Sequence, residues 1–162
     1  MSNLLQVRSI KTSDKEWLLS LLNAEFGSEK IAIRGNLLNA LNYPGYIAEI
    51  EKDLVGAVIF EEQPDAIEII TINSIRPKQG VGGALIEKVI EHAKKLRKRT
   101  IKVITTNDNT HALRFYQKRG FFMTAFFPNS ITLARKLKPE MPTIGNDGIP
   151  IRDEIELQMN LI

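Results

Sequence analysis

The 162-residue sequence contains no cysteine. Disulfides, thiolate-bound metals and a cysteine nucleophile are excluded with it. Histidine is scarce: the chain has two, His92 and His111. Neither has a partner at metal-ligand spacing, so no metal is expected. Long apolar runs are also missing, although a membrane helix needs about 20 such residues. The longest, Leu54 to Phe60, is broken by Gly56 and reads as a buried strand. No basic stretch leads into a long apolar core at the N-terminus, so neither a signal peptide nor a membrane partner is expected, and a cytoplasmic protein is the default. Excess charge of one sign is lacking too: Lys and Arg number 22 against 19 Asp and Glu, for a net charge of +3. That balance is too mild to indicate a nucleic-acid partner, which calls for a broad basic face. The one basic cluster, Lys94 to Arg99, fits cations gathered at a helix C-terminus.

What is present fits one domain over residues 1–162, with mixed α+β order. Leu5 to Ile10 reads as a first strand. Ser13 to Glu16 is a capping-box pattern ahead of a helix whose face carries Trp17, Leu18, Leu21 and Leu22. A second short helix is expected over Asn36 to Leu41, ending before the turn at Tyr43-Pro44-Gly45. Three antiparallel strands follow, Tyr46 to Ile50, Leu54 to Glu61 and Ala66 to Ile75. Beyond Pro77 the period changes. Leu85, Val89, Ile90, Ala93 and Leu96 define an amphipathic helix over Gly83 to Arg97. A strand over Thr100 to Thr105, a helix over Thr110 to Lys118 closed by Gly120, and a strand over Phe121 to Phe127 come next. A short helix over Ile131 to Lys136, a loop rich in Pro and Gly, and a strand over Ile155 to Leu161 complete the chain.

Chemistry concentrates where the strand ending near Ile75 meets Gln79-Gly80-Val81-Gly82-Gly83-Ala84. Glycines without Cβ atoms let a ligand approach the backbone. The first N–H groups of the helix have no internal partner and lie at its positive end, which suits a phosphate. A nucleoside-triphosphate loop would need Gly-Lys-Ser or Gly-Lys-Thr, and Gly83-Ala84-Leu85 supplies neither. A dinucleotide fold would need alternating strands and helices from this turn, with an acidic residue about twenty positions on; that position falls near Thr100. The pyrophosphate of coenzyme A and a plain tight turn both stay open on the glycines alone.

Two motifs narrow the choice. Val81 to Ile86, with Gly82, Leu85 and the upstream Pro77, resembles the Gly-Ile-Gly-x-x-Leu-Leu core of the GNAT N-acetyltransferases. Asn109, Ala112, Tyr116, Gly120 and Phe121 resemble that family's second signature, Asn-x-x-Ala-x-x-x-Tyr-x-x-x-Gly-Phe. The run Gly148 to Leu157, with Thr105 to Asn109 and Tyr43 to Tyr46, is similar to a bacterial GNAT subgroup of unassigned substrate. The resemblance implies a central, mixed, mostly antiparallel sheet of six to seven strands flanked by about four helices. It implies acetyl-CoA as cosubstrate and transfer of the acetyl group to a small-molecule or protein amine. With no cysteine and no base beside Ser74, transfer is expected to be direct, in a ternary complex. The loop from Pro77 to Gly80 is about three residues shorter than the family form. The usual Arg or Gln falls on Pro77, so the pyrophosphate grip is expected to rest on backbone N–H groups, with Gln79 or Lys78 as stand-ins.

The resemblance places the cofactor on Asn73, Ser74, Ile75, Gln79, Gly80, Val81, Gly82, Gly83, Ala84, Asn109 and Tyr116. Glu68 matches a glutamate that some members use as general base. Alternation of Glu68, Ile70 and Ile72 onto one face would set it in an apolar cleft, raising its pKa. Tyr116 is the expected general acid toward the departing thiolate. Asn109 caps its helix, contacts the cofactor, or both. Acceptor selection is assigned to Ile33–Tyr46 and Lys138–Glu154. Arg34 and Arg152 would grip a carboxylate on the acceptor, or Asp153, Glu154 and Glu62 would instead attract a cationic amine. His92 is expected to be solvated. The other function class is a non-catalytic acetyl-CoA sensor or partner module on the same fold. A homodimer is compatible with either reading.

Overall fold

The structure, a computed structural model, describes residues 4–161. The first strand, β1 (Leu5–Ser9), leads into α1 (Lys15–Phe26). The cap at that junction differs from the expected Ser13 box. Asp14 accepts the Lys11 amide at 2.6 Å and a two-pronged contact from Arg8, and Ser13 has no capping bond. Arg8 holds the buried Asp14 carboxyl below its usual range.

The short helix expected over Asn36 to Leu41 is not there. The segment folds instead as a hairpin, β2 (Lys30–Ile33) and β3 (Asn36–Asn39), followed by a single 3-10 turn over Ala40–Asn42. Arg34 and Gly35, with φ of 51° and 80°, form its two-residue turn, the left-handed pair that matches strand twist. Ile31 and Ile33 face inward at a period of two, and Ile31 pairs with Leu38.

Next come β4 (Gly45–Ile50), β5 (Asp53–Glu62) and β6 (Ala66–Ser74), antiparallel as expected. Then follow α2 (Val81–Lys95), β7 (Thr100–Thr106), α3 (Thr110–Lys118), β8 (Phe122–Phe127), α4 (Ser130–Leu137) and β9 (Glu154–Asn160). The last strand inserts between two earlier ones, giving the order β1-β4-β5-β6-β7-β9-β8. A seven-stranded sheet in which only β6 and β7 are parallel, the separate β2–β3 hairpin and four α-helices among the described residues agree with the expected mixed α+β architecture.

Each face of the sheet carries its own core. One packs α2 and α3 through Val81, Leu85, Val89, Tyr116 and Phe121. The other packs α1 and the hairpin through Leu18, Leu22, Ile31, Ile33 and Ile70. No helix among the described residues is long and apolar enough to cross a membrane.

Candidate active site

The sheet forks in its middle. β6 and β7 pair in parallel only from Ala66 with Thr100 to Ile69 with Val103. Beyond that rung each strand stays with its other neighbour, β6 with β5 as far as Ser74 and β7 with β9 as far as Thr106. A bulge marks the parting. Thr71 faces Ile59 and Ile69 faces Phe60, which leaves Ile70 as an extra residue on β6. Bulges increase local twist and bend the strand that carries them. The fork exposes the inner edge of β6 from Ile70 to Ser74 as unpaired peptide groups, which can bond an extended ligand as a neighbouring strand would.

The bulge also breaks the expected alternation. Ile70 belongs to the α1-side core, while Ile72 packs on the α2-side core. Glu68 therefore shares a face with Ile70 but not with Ile72.

The helix α2 begins at the open end of the fork. Gly80 is its N-cap, left-handed at φ 75°. The Ala84 amide bonds the Gly80 carbonyl at 3.0 Å and is spent inside the helix. Ile75 is likewise committed, its amide donating to Val55 at 2.9 Å. Ala84 and Ile75 are thus removed as N–H donors to a ligand. Val81, Gly82 and Gly83 keep free amides among the described residues. The Val81 side chain is buried in the core, so only its backbone faces outward. Gln79 is exposed beside this turn, and Ser74 closes a small turn with Arg76 through its hydroxyl. Asn73 sits on β6 opposite Ala57, inside the forked stretch.

The glycines have a use the sequence did not reveal. A Cβ on Gly82 would lie 3.0 Å from the Phe115 ring, and one on Gly83 would lie 3.4 Å from Arg119. Gly82 makes room for α3, Gly83 meets Arg119 at ordinary contact distance, and of the three Gly80 alone opens onto empty space.

On α3, the Asn109 side chain accepts the Ala112 amide at 3.1 Å and caps the helix. Tyr116 is 4% exposed, with its ring edge-on to Phe115 and Phe121. Its hydroxyl has no hydrogen-bond partner among the described residues, yet it is not one of the sealed, unpartnered polar atoms. Burial pushes its pKa up, which keeps the phenol protonated at neutral pH and able to donate.

Glu68 is 3% exposed, but its surroundings are not an apolar cleft. Arg34, at the hairpin tip, donates to both of its oxygens, at 3.0 and 2.6 Å. The same guanidinium reaches Glu156 on β9 at 2.9 Å. This ion-pair cluster crosses β6 and β9 just below the fork and fastens the hairpin to the sheet. Arg34 is therefore neutralised, and is not free to grip a carboxylate on an acceptor. Arg152 differs: its Nε donates to the neighbouring Asp153 at 3.0 Å, while its exposed Nη groups bond nothing among the described residues.

Glu62 lies at the other end of the sheet, on β5 opposite Ile67. It bonds His92 at 2.9 Å, and that ring packs on Tyr46 and Phe60 instead of standing in solvent. Glu62 is thus separated from the fork. The basic cluster after His92 sits a full helix length from Gly80, about 22 Å.

Two segments flank the fork on the α1 side and its open end. One is the hairpin tip. The other is the loop before β9, stitched to the end of β7 by Asn107 and Asp108. The Asn107 side-chain Nδ2 donates to the Pro150 carbonyl at 2.8 Å, and Asp108 accepts the Asn146 backbone amide at 3.0 Å. Glu154, 1% exposed, lies on β9 opposite Thr106 and below the hairpin turn. Its Oε1 is buried without a partner, and burial pushes its pKa up against the pull of the Arg34 and Gly35 amides. Among the described residues, no three His, Asp or Glu side chains gather as a metal site.

A sheet forked beside a glycine-opened helix start defines a binder of an extended ligand with an anionic end. Residues 11–121 match the Acetyltransferase (GNAT) family, and the chain belongs to that family. It is 38% identical over 148 residues to the uncharacterized protein YxbD of Bacillus subtilis, covering 91% of this chain and 93% of that one. The uncharacterized protein YdhI of the same organism is 38% identical over 142 residues, 87% and 89% of the two chains. Among solved structures, a Bacillus subtilis acetyltransferase in complex with CoA superposes with a TM-score of 0.70 at 24% identity, covering 98% of this chain and 100% of its own. A GNAT family acetyltransferase from Elizabethkingia anophelis with acetyl-CoA bound gives 0.72 at 23% identity, covering 96% and 97%.

Two outcomes test this geometry. Arg34→Ala should destabilise the protein by about 2–3 kcal/mol in denaturant unfolding, because it strands a buried Glu68 carboxylate. Arg34→Ala with Glu68→Ala should cost less than the two singles added. Glu154 sets a pH slope: a carboxyl raised in the folded state contributes fully below its unfolded value of 4.5, and that stability is lost as pH climbs through the raised value. Thermal melts should therefore show the parent losing more stability than Glu154→Gln as pH is raised above 4.5.

Proposed function

We propose that this chain moves an acetyl group from acetyl-CoA to a primary amine, directly, in a ternary complex. Residues 1–162 are read as one domain for this task. The observation that carries the reading is the fork. Peptide groups freed past Ile69 line the edge of β6, and the helix that follows this strand opens with three free amides at Val81, Gly82 and Gly83. The spacing suits a pantetheine arm on the strand edge and a pyrophosphate on the helix start. Acetyl-CoA supplies an activated thioester carbonyl. A β6 amide, from Ile72 to Ser74, stabilises the negative charge that develops on that oxygen.

Tyr116 donates a proton to the sulfur that leaves. Its buried ring keeps the hydroxyl protonated until it is needed. Glu68 accepts the amine's proton, directly or through water. For this Arg34 must release one Glu68 oxygen, and Glu156, already within 2.9 Å, retains it. Asn109 spends its carbonyl oxygen on the helix cap and turns its amide group to the cofactor. The hairpin tip and the loop before β9 form the walls that choose the acceptor.

The clamp of Arg34 on both Glu68 oxygens favours one other reading, a module that holds acetyl-CoA without turnover. Thiol release from acetyl-CoA, measured against a panel of amines, amino acids, polyamines and peptides, separates the two. Amine-dependent release supports catalysis. Measurable CoA binding with no release for any acceptor supports the sensor. Within the catalytic reading, Tyr116→Phe should lower kcat by about 100-fold, with CoA affinity nearly unchanged in calorimetry.

A further inference from the structure

Among the arginines near the fork, Arg34, Arg76 and Arg152 are each paired with a carboxylate. Arg119, at the C-terminal end of α3, is different. It is exposed and makes no ion pair among the described residues. One Nη1 hydrogen is held by the Phe115 carbonyl at 3.2 Å, and its other donors have no protein acceptor among those residues. The guanidinium is nonetheless fixed in place. Its Cζ lies 3.7 Å from the centre of the Phe115 ring, and that ring rests on Gly82. Its Nη2 comes within 3.4 Å of the Cβ position of Gly83.

At the end of α3 the guanidinium sits in a favourable field, with Nη1 on one of that helix's last carbonyls, but its other side faces the start of α2. Cations are favoured at helix C-termini and disfavoured at N-termini. Arg119 stands beside the first turn of α2, a turn with no acidic residue to offset it. A planar donor group, ordered by stacking and held next to three free amides, is arranged for an anion that all of them share. The loop before Gly80 carries Lys78, exposed and without an ion pair among the described residues, so Arg119 is the cation there that packing holds in place.

We infer that Arg119 is a phosphate-binding residue of the CoA site, supplying from α3 a guanidinium held in place beside the free amides of α2. The assignment rests on the CoA reading above and adds a side chain to it. The shared chemistry is a phosphate oxyanion, which CoA carries both in its pyrophosphate and in its 3′-phosphate.

Isothermal titration of the full chain, Arg119→Ala and Arg119→Lys with CoA, dephospho-CoA and pantetheine tests it. Arg119→Ala should weaken CoA by about 10- to 100-fold. Arg119→Lys should recover part of that loss, because it keeps the charge without the flat, stacked fork. Pantetheine binding should not change, and the melting temperature should stay that of the parent. A loss that persists with dephospho-CoA assigns Arg119 to the pyrophosphate, and a loss confined to CoA assigns it to the 3′-phosphate. In turnover, KM for acetyl-CoA should rise while kcat at saturation holds. If the parent binds CoA and Arg119→Ala binds it equally well, or if pantetheine weakens in parallel, the role of Arg119 is overturned and the CoA reading stands. If the parent binds no CoA, both fall.

Discussion

Everything in the site depends on two ribbons that part company. β7 keeps β9 along its whole length from Thr100 to Thr106, and β6 keeps β5 as far as Ser74. They share each other only up to Ile69 and Val103. The extra residue at Ile70 adds twist at that rung, so the strands diverge instead of zipping further. Unpaired strand edges inside a sheet are costly and are normally closed. Here the opening is held by good pairing on both outer sides, so it persists as a fixed slot. The start of α2 then sets free amides at the mouth of the slot, and α3 sets Tyr116 and Arg119 beside it.

The α1 side of the sheet is secured by charge. Arg34 crosses from the hairpin turn to Glu68 on β6 and Glu156 on β9, 34 and 122 residues away in sequence. With the guanidinium in place, Glu68 anchors the hairpin. With it withdrawn to Glu156, Glu68 has a free oxygen close to the fork. In the proposed reaction the readiness of Glu68 as a base is thereby linked to one side chain, Arg34. The buried Glu154 under the same turn adds a titratable group to that linkage.

Much of the framework was legible in the sequence because its periods were clean. The three antiparallel strands, α2, α3 and the final strand fall close to their expected ranges. The helix expected over Asn36 to Leu41 was wrong because Leu37, Leu38 and Leu41 mimic helical spacing over a short run. The deciding signals were the Arg34-Gly35 turn and the pairing of Ile31 with Leu38, the second of which appears only in three dimensions. The Ile70 bulge was hidden in a run of Ile and Thr that reads as unbroken alternation, and it changes which residues share the face of Glu68. Glu68 itself looked free because its partner lies 34 residues away. Arg119 went unnoticed because the glycines were assigned to the ligand alone, and the packing of Phe115 on Gly82 is a tertiary fact. The motif positions Tyr116, Asn109 and the Gly80 turn were legible, since their spacing is local.

The most direct test of the fork as the acetyl-CoA site is amide hydrogen exchange with and without acetyl-CoA. Protection should appear in two separated stretches, residues 70–74 and 81–83, while α1 and the Glu62–His92 end stay unchanged. Binding that leaves both stretches exchanging as before, or that protects the Glu62–His92 end instead, would contradict it.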